Sequence, residues 1–331
     1  GVRSLRDPWT LAGIELPNRL VLAPLAGIGN WFVRLQAKRH GAGLVVSEMV
    51  SSFGLHHGNE RTVEQFLRIH PDEHPVSMQL FGHDADVMRG AAAMVAEAGA
   101  DLVDLNMGCP VRKVCKTGAG AALLDDPDKA VAIAKAAGEG SGLPVTVKLR
   151  PGQRPGDRAG VDLARRLVDE AGVAAIAFHP RHASQQHKGR PDYDLARELV
   201  DALDVPVILS GGLLSDERVE DAFERSGAAA VMLARGSLGN PWLFERLLGR
   251  RDDEPDVGEI AAELRWTIDR CEEHIGVQRA GHYLRKFYPW YAERLGLTRA
   301  GKQELVTAPT TADARVALDR IEAAATAADA A

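Results

Sequence analysis

Residues 101–120 read DLVDLNMGCPVRKVCKTGAG. Leu102, Val103, Leu105 and Met107 make a short, nearly continuous apolar run, the pattern of a strand covered on both faces in a parallel sheet. The run ends at Gly108-Cys109-Pro110, and a basic, glycine-rich loop follows at once. Seven more runs of this kind recur along the chain. They are RLVLAPLAG from Arg19, GLVVSEM from Gly43, PVSMQLFG from Pro75, PVTVKLR from Pro144, AAIAFHPR from Ala174, VPVILSGG from Val205 and AAVMLARG from Ala229. Between most of them lie helical patterns such as DADVMRGAAAMVAEAGA and DRAGVDLARRLVDEAG. Strands alternating with helices specify a parallel sheet with helical cover. Eight such units within about 240 residues predict a closed (β/α)8 TIM barrel. An open, doubly wound sheet is the competing architecture, but it carries G-x-G-x-x-G after its first strand. Here that position reads APLAGIGN, and GAGAAL from Gly118 follows the fourth strand and reads as a loop.

Beyond the barrel the composition changes. RRDDEPDVG, residues 250–258, is charged and contains Pro and Gly, as a linker does. Ile260, Leu264, Ile268, Cys271 and Ile275 then line one face of a helix that stops at Gly276. A second helical pattern, RAGHYLRKFYPWYAERLG, contains Pro289, which predicts a kink. A last helix is expected from near Thr311, fraying in its Ala-rich tail. The expected organisation is a barrel over 1–249, a linker over 250–258 and a small all-helical domain over 259–331.

The 331 residues are 45% hydrophobic, enough for a large core. No apolar run approaches the roughly 18 residues of a membrane span, and GVRSLRDPWT is not a signal-peptide pattern. Cys109, Cys115 and Cys271 are an odd set without a C-x-x-C pair, and the eleven histidines show no ligand spacing. Neither a disulfide framework nor a metal site is expected, and a reduced, cytoplasmic protein is.

In a TIM barrel the chemistry lies at the C-terminal ends of the strands. Those ends read Pro24-Leu25-Ala26, Glu48, Gln79, Asn106, Lys148 with Arg150, His179, Ser210-Gly211-Gly212 and Ala234-Arg235-Gly236. A single polar residue at a strand end is ordinarily structural; convergent polar groups from nearly every strand mark a site. Glycines after the last two strands let backbone N–H groups approach an anion, and Arg235 adds a fork suited to phosphate oxygens. A lysine with two side-chain amides behind a phosphate site suits a planar heterocycle with carbonyl and ring-nitrogen atoms. That combination points to FMN. Cys109 then has a role. An ordinary thiol is mostly protonated at neutral pH, which suits a proton donor to a C=C bond that has accepted hydride. For Cys115 and Cys271 the reading is a small buried hydrophobe.

These residues carry a family resemblance. LAPLAGIGN (22–30), SEMVSS (47–52), MQLFG (78–82), VDLNMGCPVRKV (103–114), GAGAALL (118–124), VKLRPG (147–152), FHPR (178–181), SGG (210–212), ARGSLGNPW (234–242) and RKFYPWY (285–291) together resemble the tRNA-dihydrouridine synthases, in their bacterial B-type branch. The resemblance implies reduction of the C5=C6 bond of uridine to 5,6-dihydrouridine in the tRNA D-loop, with FMN as cofactor and NADPH or NADH as electron donor. It implies that Pro24, Leu25, Ala26, Gln79, Lys148, Ser210, Gly211, Gly212, Ala234, Arg235 and Gly236 meet FMN. Asn106 and His179 match positions beside flavin and uracil, and Cys109 matches the proton donor to uracil C5. Leu25 stands where methionine is usual, Gly29 and His182 replace commoner threonines, and Ser210-Gly211-Gly212 replaces Asn-Gly-Asp.

The charge distribution agrees with an RNA substrate. The whole chain carries a net charge of −6, yet residues 111–117, 148–158 and 179–190, the loops after three successive strands, each carry +3. Residues 279–302 add +5. One sign on one face is the electrostatic footprint of a polyanion. Arg112, Lys113, Arg150, Arg181, Arg285 and Lys286 are the expected tRNA contacts; no obligate protein partner is indicated. Tyr283, Phe287, Trp290 and Tyr291 could stack on bases, but their helical spacing favours core positions. The rivals are another FMN barrel acting on a small molecule, such as a dihydroorotate dehydrogenase, and a tRNA-binding protein without catalysis.

Overall fold

The computed structural model describes residues 2–331. The chain opens with a hairpin of β1 (Trp9–Leu11) and β2 (Ile14–Leu16). Its turn residues, Ala12 and Gly13, have φ of 50° and 83°, the left-handed pair whose twist matches a two-residue hairpin. Three-residue strands are too short to show alternation, so the hairpin has no signature in the sequence pattern.

Each of the eight predicted runs forms a barrel strand. They are β3 (Leu20–Leu22), β4 (Leu44–Val46), β6 (Val76–Phe81), β7 (Leu102–Met107), β8 (Val145–Leu149), β9 (Ala175–Phe178), β10 (Val207–Leu209) and β11 (Ala230–Leu233). Neighbours pair in parallel, and the ring closes through β4 against β6, with Val45 opposite Val76. A two-residue strand, β5 (Val50–Ser51), pairs further along β6. The interruption lies at Ser47 and Glu48: the Ser47 N–H bonds the Ser77 carbonyl, whereas the Glu48 N–H turns to the Gly29 carbonyl at 3.0 Å.

Helices Trp31–Arg39, Ala85–Glu97, Tyr193–Ala202 and Asp216–Ser226 start on Asn30, Asp84, Asp192 and Ser215, whose side-chain oxygens accept first-turn N–H groups. Inside the barrel, Leu44, Leu102, Ala175 and Ala230, at strand starts, form one cluster with Leu11 and Leu16 of the hairpin. The hairpin therefore plugs the floor, and polar groups gather at the opposite end.

The chain divides into two compact units, Gly1–Gly236 and Ser237–Ala331. The sequence pattern puts the first boundary at 249 instead, and residues 250–258 do not behave as an open linker. Arg251 pairs with Glu245, Asp253 and Glu259 within the second unit, and helix Val257–Ile275 already starts on Asp256. The RKFYPWY region also differs from expectation. Val277–Tyr283 and Tyr288–Arg294 are separate helices with a 3-10 turn at Leu284–Lys286. Pro289 sits in the first turn of the later helix, where the missing N–H has no partner to lose. An unanticipated helix, Arg299–Val306, begins on Thr298. The last helix spans Thr311–Ala330, because alanine favours helix more than any other residue. Phe287 and Tyr291 are buried, as their spacing favoured, while Tyr283 and Trp290 are half-buried. Among the described residues, no helix is long and apolar enough to cross a membrane.

Candidate active site

Strands β6, β7 and β8 set four side chains in register. Gln79 lies opposite Asp104, and Asn106 lies opposite Lys148. Period-two alternation puts Asp104 and Asn106 on one face of β7, and both reach Gln79. Gln79 Nε2 donates to Asp104 Oδ2 at 2.7 Å, while Gln79 Oε1 accepts from Asn106 Nδ2 at 3.2 Å. Thr146 Oγ1 donates to Asp104 Oδ1, and Ser47 Oγ accepts the Gln79 N–H. Asp104, Thr146 and Ser47 were not singled out from sequence, although the alternation Leu102, Asp104, Asn106 carried the signal.

Asn106 also holds the Cys109 turn. Its Oδ1 accepts the N–H groups of Gly108 at 3.1 Å and Cys109 at 2.9 Å. The Cys109 carbonyl accepts the Ala121 N–H and the Cys115 thiol, so Cys115 is half-buried and bonded within the loop. Cys271 is buried, as expected. Burial raises the Cys109 pKa, opposed by the Val111 N–H and by the cations Lys148 and Arg150. The group is a protonated thiol at neutral pH.

Lys148 has no hydrogen-bond partner for its ammonium among the described residues. Burial, then Arg150, pushes its pKa down to about 8. Burial pushes Asp104 up to about 6, against the pull of Thr146, Gln79 and Lys148. His179 is held neutral by burial and by Lys148, Arg150 and Arg181.

Two expected tRNA contacts are placed otherwise. Arg150 and Arg181 are each only 5% exposed. Arg150 donates to the His182 and Gln186 carbonyls, and Arg181 to the Gly189 carbonyl, with His179 Nε2 at 3.3 Å from Arg181 Nη1. They clamp the loop after β9 and charge the mouth from beneath. Arg112, Lys113, Arg285 and Lys286 are exposed.

At the end of β10, Ser210 is buried, and Gly211 and Gly212 have φ of 95° and 72°. A Cβ on Gly211 would lie 2.5 Å from His179 Cδ2, and one on Gly212 would lie 2.8 Å from Pro191 Cγ. Tyr193 Oη donates to the Gly211 carbonyl. After β11, Arg235 is exposed and has no hydrogen-bond partner among the described residues. After β3, Leu25 is buried, with Pro24 half-buried and Ala26 exposed. Gly29 has no room for a side chain: its Cβ would lie 2.7 Å from the Glu48 nitrogen. His182 Nε2 lies 3.0 Å from the Asp157 carbonyl oxygen.

The model of the family described as dihydrouridine synthase matches residues 21–329. A probable tRNA-dihydrouridine synthase of Rhizobium leguminosarum bv. phaseoli is 36% identical over 294 residues, 88% of this chain and 90% of that protein. The tRNA-dihydrouridine synthase B of Pseudomonas putida is 34% identical, covering 87% and 86%. Among solved structures, morphinone reductase in complex with tetrahydroNAD superposes with a TM-score of 0.57 at 18% identity, covering 78% of this chain and 94% of that one. The old yellow enzyme homologue of Zymomonas mobilis gives 0.57 at 18%, covering 78% and 96%. At that identity the structures share the fold.

Proposed function

The chain belongs to the dihydrouridine synthase family of flavin-dependent oxidoreductases, and within it we propose that this member uses FMN and NADPH or NADH to reduce the C5=C6 bond of uridine in the tRNA D-loop. The observation that carries the reading is Cys109: a thiol kept protonated by burial, on a turn held by Asn106, followed by the exposed cations Arg112, Lys113 and Lys116. A small-molecule flavoenzyme has no use for that cationic loop, and a binding protein has no use for the thiol.

The residues present suit the cofactor. The Lys148 ammonium lacks a hydrogen-bond partner among the described residues, and Lys148 lies opposite the half-buried Asn106, whose amide has a second hydrogen to give, while the buried Gln79 backs Asn106 with its own amide turned to Asp104. This donor set matches the acceptor-rich edge of an isoalloxazine ring. The Gly211-Gly212 backbone and Arg235 would hold the phosphate, and Pro24, Leu25, Ala26, Ser210, Ala234 and Gly236 would border the ring and ribityl chain. FMN, when bound, supplies hydride taken from NAD(P)H. Cys109 donates the proton that completes reduction at the neighbouring uracil carbon, and the resulting thiolate is favoured by Lys148 and Arg150 before solvent reprotonates it. Neutral His179 offers a hydrogen bond to flavin or uracil without adding charge.

Arg112 and Lys113 would meet the tRNA backbone, with Arg150 and Arg181 acting through the field of the mouth. Residues 259–331, proposed as the tRNA-binding domain, add Arg285 and Lys286. A substrate of this kind implies a cytoplasmic protein.

The test is a preparation with flavin absorbance, bleached by NADPH, incubated with unmodified tRNA. Wild type should form dihydrouridine, whereas Cys109→Ala should be yellow and bleachable yet form little. Full turnover by Cys109→Ala would remove the thiol from the mechanism; bleaching without any dihydrouridine from wild type would favour a small-molecule substrate.

A further inference from the structure

We propose that Asp104 is a positioning residue, whose acceptor character fixes the amide orientations of Gln79 and Asn106 and thereby the turn that presents Cys109. The three side chains form one directed chain. An ionised carboxylate only accepts hydrogen bonds, whereas Gln and Asn each have a donor end and an acceptor end. At 2.7 Å from Asp104 Oδ2, Gln79 must present its Nε2. Its Oε1 is then left for Asn106 Nδ2, at 3.2 Å. Asn106 Oδ1 is therefore left for two backbone donors, Gly108 at 3.1 Å and Cys109 at 2.9 Å.

Reversing Gln79 would set oxygen against oxygen at Asp104, and reversing Asn106 would set its amide hydrogens against two N–H groups. With an acceptor-only group at one end and donor-only groups at the other, a single arrangement satisfies every junction. The site is buried: Gln79 is 0% and Asp104 2% exposed. Water is not at hand to repair a broken link, so each mismatch leaves a polar group unsatisfied. Thr146 closes the chain behind Asp104 by donating to Oδ1, and Ser47 holds the Gln79 backbone. Two donors on its oxygens, Gln79 Nε2 and the Thr146 hydroxyl, together with the nearby Lys148 charge, favour the ionised, acceptor-only form of Asp104 against burial.

Asp104 also stands near the Lys148 charge, so a counter-ion role must be separated from a hydrogen-bond role. Asp104→Asn does this. It removes the charge, but its Oδ1 can still accept from Gln79, with its amide donating to the Thr146 hydroxyl. Asp104→Leu removes both. Gln79→Met breaks the chain in the middle and leaves Asp104 in place.

The consequence for catalysis rests on the reading of Cys109 as proton donor, but the relay can be measured without it. Amide hydrogen exchange at Gly108 and Cys109 reports the Asn106 acceptor directly in the full-length protein, with the β7 amides as the internal control. Asp104→Leu and Gln79→Met should each speed exchange at these two amides by at least about tenfold, leaving β7 unchanged. Asp104→Asn should stay within about threefold of wild type. Turnover should follow the same order through kcat, not KM. If Asp104→Asn exchanges as fast as Asp104→Leu, the role is charge and the relay is wrong; unchanged exchange in Gln79→Met also overturns it. Should Asp104→Leu fail to fold, the other two variants decide. A failure of Cys109→Ala to lose turnover, with these exchange results intact, would count against the thiol and not the relay.

Discussion

Arg34 and Glu73 form an ion pair closed to solvent on both sides. Arg34 also donates to the Gly29 and Arg68 carbonyls, each at 2.9 Å, and Glu73 Oε2 accepts the His70 N–H at 2.7 Å. The pair thus joins the loop after β3, which carries Leu25 and Ala26, to residues 68–73. Glu73→Leu strands a buried guanidinium and should cost about 3–5 kcal/mol, whereas Arg34→Met with Glu73→Leu should cost less than the two single changes together. Denaturant unfolding of the three variants checks this; additive losses would show that the two charges are not coupled.

Lys148 gives a pH signature. With its pKa pushed down to about 8, the charge is present at pH 7 and lost as pH rises through 8. FMN affinity should therefore fall between pH 7 and 9. Lys148→Met should bind more weakly at pH 7 and show little of that fall. The cofactor-free fold should respond with the opposite sign. An unfolded lysine binds its proton up to about 10.4, so between about 8 and 10.4 the unfolded state holds more protons, and this residue's contribution to stability rises with pH. FMN titrations and unfolding midpoints of wild type and Lys148→Met at three pH values read both limbs.

Gly211 and Gly13 separate backbone strain from collision. Both have positive φ, 95° and 83°, but a Cβ at Gly13 meets nothing within 4 Å, whereas one at Gly211 meets the His179 ring. Gly13→Ala should cost about 1 kcal/mol, the strain alone. Gly211→Ala should cost clearly more and also weaken FMN binding, because His179 must move. Equal losses in the two variants, with FMN affinity unchanged in Gly211→Ala, would place the phosphate loop elsewhere.

Arg285 and Lys286 are exposed on the 3-10 turn between two helices. Lys286 Nζ lies 4.9 Å from the centre of the Tyr283 ring. Replacing both by alanine should leave the flavin spectrum intact and weaken tRNA binding. The slope of log affinity against log salt should flatten by roughly 0.9 for each phosphate no longer neutralised. Identical slopes for variant and wild type would assign these cations to another role.

The barrel is legible in the chain without coordinates. Each of its eight strands is a local apolar run closed by a turn, and such patterns survive translation into structure because strand burial on both faces demands them. Gln79, Asn106, Lys148 and His179 are equally legible as strand-end residues, since alternation and barrel direction decide that position. What those groups touch is set by folding. Arg150 and Arg181 look from sequence like the cations of Arg112 and Lys113. Only the folded loop after β9 turns them inward, where the carbonyls of His182, Gln186 and Gly189 accept their guanidinium N–H groups. Pro289 reads as a kink until the preceding turn ends one helix and makes the proline the start of another. Asp104 could be seen in the strand, but the acceptor it offers to Gln79 exists only when β6 and β7 are in register. Hydrogen-bond direction belongs to pairs of residues brought together from distant parts of the chain, and no single run of sequence contains it.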